Sequence, residues 1–134
     1  MSGETSLERL LSGLHPVLHA EEYGYGQIAP GVPLPSGLRP FATVAEDEGL
    51  TIVAPASDLA RHHVGHDAGW ARISLGIHSS LEAVGLTAGI AAALTGAGIS
   101  ANVVAGFLHD HVLVQWERRH LAMEVLNGLS GHDV

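Results

Sequence analysis

The sequence predicts an α+β fold, with antiparallel strands and helices packed on one face of the sheet. The clearest observation is Trp70–His78, where apolar and polar residues alternate as they do in a strand with one face on a core. A Ser-x-x-Glu capping box at Ser79–Glu82 then predicts a helix that runs to about Gly96. Two further apolar runs, Ser100–Phe107 and His111–Gln115, flank a short turn and predict a β-hairpin.

This order of strand, helix, strand, strand and helix favours the ferredoxin-like split βαβ arrangement. The first two strands are then parallel, and the third lies antiparallel between them. His78 and Phe107, which end the first two strands, therefore share one edge of the sheet. We expect the helix N-terminus at Ser79–Glu82 and the turn at His109–His111 to lie near each other at that edge, which is where function is sought.

The N-terminal half has a similar plan, in which a loop takes the place of the first crossover helix. Its first predicted elements are a helix at Leu7–Leu14 stopped by Pro16, a strand near Tyr23–Ile28 and a proline-rich loop at Pro30–Gly37. They are followed by a hairpin of Phe41–Ala45 with Leu50–Ala54, a short helix toward His63 capped by Ser57 or Asp58, and a linker at Gly65–Gly69. A C-terminal helix at Glu117–Leu129 carries an apolar stripe. The chain thus divides into two half-sized modules, residues 1–66 and 67–134, which need a shared core or a dimer for stability.

Composition excludes several classes of protein. There is no cysteine, so disulfides and thiolate sites are absent, and there is no lysine. Six arginines against fourteen acidic residues give a formal charge of −8, without the basic stripe of a nucleic-acid-binding protein. The N-terminus does not resemble a signal peptide, and the most apolar segment, Val84–Ile99, is too short to cross a bilayer. We expect a cytoplasmic protein with no nucleic-acid or membrane partner.

The predicted helix N-terminus is the first candidate site. Its free backbone N–H groups and positive dipole end suit a carboxylate, and Glu82 could meet an ammonium group, so the pair suits an amino acid. The alternative is an ordinary capping box, in which Glu82 turns back onto the Ser79 N–H.

A stripe of small residues follows on the same helix. Gly85, Gly89, Ala92 and Gly96 recur at spacings of four, three and four. Because glycine costs about 1 kcal/mol per helical position relative to alanine, close backbone packing is expected to offset it. The stripe packs either on the sheet of its own domain or on another domain or subunit.

Histidines form a second candidate site. His78, His109 and His111 come together at the predicted edge and could hold a metal or support a small hydrolytic site. No standard metal-ligand spacing, nucleophile elbow or phosphate-binding loop accompanies them. We therefore expect no catalytic residue, no metal and no cofactor.

The second half, from His78 through Val114, resembles the ACT domain. A loop rich in small residues at His78–Thr87 leads into the crossover helix, and Gly98-Ile99-Ser100 begins the second strand, before a short hairpin. The whole chain, from about Leu7 to Leu129, is similar to small stand-alone tandem ACT proteins, in which a hairpin with Phe41-Ala42 and Glu48-Gly49-Leu50-Thr51 precedes the second module.

The resemblance implies two ferredoxin-like ACT modules and a regulatory protein that binds an amino acid or a related small carboxylate. The ligand residues that it implies are Ser79, Ser80, Glu82, Ala83, Val84, Gly85, Thr87, Asn102 and Val103, and Asp110 joins Glu82 as a candidate partner for the ammonium group. A homodimer and a regulated protein partner are also expected. A purely structural dimerisation subunit without a ligand is the remaining alternative.

Overall fold

The structure, a computed structural model, describes residues 11–76 and 85–130 of the 134-residue chain. Over these ranges the strands are β1 (Pro16–Ile28), β2 (Ala42–Glu46), β3 (Gly49–Pro55), β4 (His66–Leu75), β5 (Ala101–Ala105) and β6 (Asp110–Gln115). The helices are α1 (Ala56–Arg61), α2 (Leu86–Gly96) and α3 (Arg119–Leu129), the last preceded by one 3₁₀ turn at Trp116–Arg118. The predicted α+β class is confirmed. None of the helices in these ranges is long and apolar enough to span a bilayer.

The chain forms two compact units that do not follow its linear order. Unit 1 joins the N-terminal segment through His19 to the segment from Ala71 onward, and unit 2 is the continuous segment Ala20–Trp70. The two boundaries fall inside β1 and β4, so each of these strands contributes residues to both units.

Unit 1 has the predicted ferredoxin-like strand order. β6 lies between β4 and β5, and β1 lies on the other side of β4. β5 and β6 pair antiparallel, with Val103 opposite Val112 and Ala105 opposite Asp110. β1 thereby takes the fourth place in the sheet of the second half.

The core of unit 1 lies on one face of this sheet, under both helices. Alternate residues of β4, namely Ala71, Ile73 and Leu75, are fully buried. They pack with α2 residues at a spacing of four, and with Ala122 and Leu126 of α3; the α2 members are Leu86, Ile90 and Leu94. The period of two in the strand and of about four in the helices is what aligns these apolar side chains. Leu121 of α3, although apolar, is exposed.

Unit 2, all of whose residues are described, repeats the same strand order and has one helix, α1. β3 pairs antiparallel with both β2 and β1, and β4 follows on the other side of β1. Residues 29–41 form no helix or strand, as the proline-rich sequence predicts. Leu38 from this loop is buried against Ile52 of β3 and Leu59 of α1. The loop thus fills part of the space that a crossover helix would occupy.

The predicted linker at Gly65–Gly69 is wrong, because β4 begins at His66. Two glycines of β1 explain why this segment can be a strand. A Cβ atom added at Gly24 would lie 3.1 Å from the Asp67 carbonyl oxygen, and one at Gly26 would lie 3.0 Å from the Gly65 carbonyl oxygen. Close backbone approach by β1 therefore stabilises a segment that looks flexible in isolation.

The predicted start of the second-half helix is also wrong. α2 begins at Leu86, and Gly85 is its N-cap with a φ of 89°. A left-handed residue does not continue a right-handed helix, so α2 does not run through Gly85. The capping box at Ser79–Glu82 lies outside the described residues, as does most of the predicted helix at Leu7–Leu14.

The glycine stripe of α2 does not pack closely within the described part of the chain. A Cβ atom added at Gly89 or Gly96 would meet no atom within 4 Å. The expectation of close packing on the domain's own sheet is therefore not supported at these two positions.

Gly89→Ala is expected to stabilise the protein by about 0.5–1 kcal/mol, because alanine costs less backbone entropy in a helix and has room here. Thermal melting measures the gain. Gly26→Ala serves as the contrasting variant, since its Cβ would lie 2.9 Å from a Val64 methyl group. A lower melting temperature for Gly89→Ala, with loss of a dimer in sedimentation, would instead assign the stripe to a subunit interface.

Candidate functional site

The ends of three strands meet at one edge of unit 1. β5 ends and β6 begins at this edge, where Ala105 is paired with Asp110. Ser74, near the end of β4, bonds through its hydroxyl to Nδ1 of His111 at 2.8 Å, which places the end of β4 beside the start of β6. This is the edge that the sequence predicts, although His78 itself lies outside the described residues.

Asp110 is an acidic residue at this edge. Its side chain is at the start of β6 and the residue is only 9% exposed. Burial raises the pKa of the Asp110 carboxyl above its ordinary value, and the neighbouring His109 acts against that rise. The carboxylate is thus costly to keep charged, and a cation brought next to it would lower that cost.

The start of α2 supplies the described part of the predicted loop. The Gly85 carbonyl oxygen accepts a hydrogen bond from the Gly89 N–H at 2.8 Å, which closes the first turn, while Thr87 is exposed. Among the described residues, no side chain caps this helix. The other ligand residues predicted in this loop, Ser79, Ser80, Glu82, Ala83 and Val84, lie outside the described residues.

Asn102 and Val103 lie on β5, which is the edge strand of unit 1. Val103 packs against the core beneath the helices, whereas Asn102 is exposed and is paired with Leu113. Neighbouring residues of a strand point to opposite faces, so a ligand on one face can touch only one of these two side chains.

Three hydrogen-bonded polar side chains, called here the His19–Ser74–His111 chain, lie across the sheet face opposite the helices. The Ser74 hydroxyl lies 2.7 Å from Nε2 of His19 on β1 and 2.8 Å from Nδ1 of His111 on β6. The hydroxyl has one proton, so it donates to one imidazole and accepts from the other when both rings are neutral. Sequence reasoning missed this set, since its members are 55 and 37 residues apart along the chain.

Both imidazoles of the His19–Ser74–His111 chain are neutral at neutral pH. Burial lowers the pKa of His19 and of His111, and the Arg72 guanidinium lowers both further. His109 and His19 add to the effect at His111. At neutral pH the three side chains therefore form an uncharged hydrogen-bonded row beside an arginine.

The predicted metal set of His78, His109 and His111 is not tested, because His78 lies outside the described residues. Over residues 11–76 and 85–130, no group of three or more histidine or acidic side chains is placed to hold a metal ion. The Nδ1 atom of His111 is engaged by the Ser74 hydroxyl.

Comparisons with known proteins identify the two halves of the chain. Two models of the ACT domain match in tandem, one over residues 2–69 and the other over residues 66–128. A comparison with curated proteins finds no match.

Several solved structures are similar to this chain. A protein of unknown function from Vibrio cholerae, described as a possible transport protein, is 38% identical with a TM-score of 0.82, over 94% of this chain and 97% of that one. A protein from Agrobacterium tumefaciens is 21% identical, with a TM-score of 0.73 over 88% of this chain and 89% of that one. The regulatory subunit of aspartate kinase from Thermus thermophilus is 11% identical, with a TM-score of 0.62 over 87% of this chain and 97% of that one. The last two similarities show a shared fold.

Because the two models together cover residues 2–128, the chain belongs to the ACT-domain family.

Proposed function

We propose that this protein is a non-catalytic sensor that binds a free amino acid and passes the bound state to a protein partner. Its modules are residues 1–66 and 67–134, and it works as a homodimer. The observation that carries the proposal is the tandem match of two ACT-domain models over residues 2–128, since ACT domains are regulatory ligand-binding modules.

The proposed site is the edge of unit 1 where β4, β5 and β6 meet. The ligand carboxylate lies on backbone N–H groups in the segment from Ser80 to Gly85, which leads into α2. Asp110 or Glu82 faces the ligand ammonium. The raised pKa of Asp110 supports this role, because a ligand cation would offset the cost of burying its carboxylate.

Thermal melting against each of the twenty amino acids at millimolar concentration tests the proposal. An amino acid present at about 100 times its dissociation constant stabilises the folded state by about 2.7 kcal/mol, which is several degrees for a chain of this size. We expect one amino acid, or a small group of related ones, to raise the melting temperature.

The variants Asp110→Asn and Glu82→Ala locate the site. At least one of them should abolish the ligand-induced shift, whereas Asp47→Asn, a change in the exposed hairpin turn of unit 2, should preserve it. A shift that survives both changes would move the ligand away from this edge. If no amino acid shifts the melt, amino-acid sensing is refuted.

A further inference from the structure

Unit 2 contains a cleft of about 540 Å³ that the ACT matches do not explain. It is lined by β1, by the loop before β2 and by α1; the side chains that matter are Glu21, Arg39, Ser57, Asp58, Arg61 and His62. The cleft lies beside the loop of residues 29–41, which replaces the crossover helix of unit 2. Its volume is within the range of about 300–1,000 Å³ that is usual for small-molecule sites.

One buried carboxylate, that of Asp58, lines the cleft and joins two of its walls. Asp58 is 6% exposed, and its Oδ2 accepts a hydrogen bond of 3.0 Å from the Arg39 backbone N–H. Its Oδ1 accepts a hydrogen bond from the Arg61 guanidinium. Nδ1 of His62 lies 2.9 Å from the Asp58 carbonyl oxygen and 3.5 Å from Oδ1. Asp58 therefore ties the loop to α1.

Asp58 also positions the guanidinium of Arg61. The Arg39 hydrogen bond is the main cause of a lowered pKa at Asp58, and the Arg61 guanidinium and His62 add to it against the effect of burial. The carboxylate thus stays charged and keeps Arg61 at the rim. A guanidinium has five N–H donors, so this bond leaves others for a ligand.

The concentration of arginine here is unusual for this chain. The protein has only six basic residues and a formal charge of −8, yet Arg39 and Arg61 both line this cleft. A neighbouring concavity brings Glu21 and Glu22 of β1 up to Ser57 and Arg61. The cleft and its neighbour therefore bring basic and acidic side chains together.

We propose that this cleft is a second ligand site, which binds a small zwitterion that carries both a carboxylate and an ammonium group. The carboxylate binds Arg39 and Arg61, the ammonium binds Glu21, and the Ser57 hydroxyl lies between the two ends. The ligand class rests on the proposed function, but the site is in a different unit from the edge near Asp110.

Two-dimensional ¹H–¹⁵N NMR of the full chain, titrated with glycine as the smallest zwitterionic probe, tests the proposal. Saturable shifts are expected at the amides of Gly37, Arg39, Ser57 and Arg61. Acetate should cause smaller shifts at the same amides, because it lacks the ammonium group, and methylammonium alone should cause almost none.

Variants divide the two charges. Arg39→Gln and Arg61→Gln should each weaken glycine binding about tenfold, which corresponds to about 1.4 kcal/mol, because each removes a charged partner of the ligand carboxylate. Glu21→Gln should weaken glycine binding but leave acetate binding unchanged. Arg118→Gln, which removes an exposed arginine of unit 1, is the control and should change neither.

The spectrum separates this proposal from the proposed function. Saturable shifts confined to Gly85, Thr87, Asn102 and Asp110 would overturn the second site and leave amino-acid sensing intact. Shifts in the cleft that do not respond to Arg39→Gln and Arg61→Gln would also overturn it. Absence of shifts with glycine and with every other amino acid would refute both proposals.

Discussion

Gly49→Ala is expected to destabilise the protein by about 3 kcal/mol or more, through a clash of backbone with an added side chain. Gly49 begins β3 and has a φ of 146°, a backbone conformation that residues with a Cβ atom rarely adopt. A Cβ atom there would lie 2.3 Å from the Ile28 carbonyl oxygen. That oxygen belongs to β1, whose pairing with β3 through Ile28 and Leu50 leaves the backbone little freedom to move.

Chemical denaturation of Gly49→Ala measures the loss. The matched control is Gly31→Ala, because Gly31 also has a positive φ, 81°, but an added Cβ would meet no atom within 4 Å. The control should lose only the conformational strain, about 1–2 kcal/mol. Equal losses in the two variants would show that the clash with Ile28 relaxes at little cost.

Stability is also expected to fall as the pH drops from about 7.5 to about 5.5, because of the His19–Ser74–His111 chain. Both histidines have a lowered pKa in the folded protein, so the unfolded chain binds more protons in the window below the ordinary value of 6.5. Their stabilising contribution is complete above that value and is lost as the pH falls toward the folded pKa. Protonation of both rings also places two positive charges beside Arg72, with one serine oxygen between them.

Asp110 acts in the opposite direction. Its pKa is raised above the ordinary 3.8, so the folded state holds this proton more tightly and stability from Asp110 decreases as the pH rises above that value. Asp110 therefore offsets the stability lost on protonation of the two histidines only in the pH range where both kinds of group titrate.

Melting curves across this pH range, for the wild type and for the double variant His19→Gln/His111→Gln, measure the contribution of the chain. The double variant should show a flatter dependence on pH. His120→Gln removes an exposed histidine of α3 and is the control. An unchanged slope in the double variant would assign the pH dependence to other groups.

Local patterns were sufficient for much of the fold. The alternation of β4, the hairpins and the proline-rich loop follow from residue periods and turn chemistry, and the crossover rule then placed β6 between β4 and β5. What failed depended on distant partners. His66–Gly69 is a strand because Gly24 and Gly26 of β1 allow close backbone contact. The sequence does not show which segment packs against those glycines.

The candidate site was less accessible to sequence reasoning than the fold. Asp110 was singled out, and the structure places it at the expected edge. The link between His19, Ser74 and His111 depends on three strands from different parts of the chain, so no local pattern contains it. The charged cleft was not predicted either, because Arg39 and Arg61 both bond to Asp58 only when the loop folds onto α1.

Unit 1 is built from two segments that are far apart in the sequence, and this affects how the protein folds during synthesis. Unit 2 is continuous, so all of its residues have been synthesised once Trp70 has been added. The first residues of β1, up to His19, must wait for partners that are translated after Ala71. At about 5–20 residues per second, the remaining segment takes several seconds to synthesise. During that interval the early part of β1 is an unfinished strand, and a translational pause after residue 70 would prolong its exposure to chaperones and to other nascent chains.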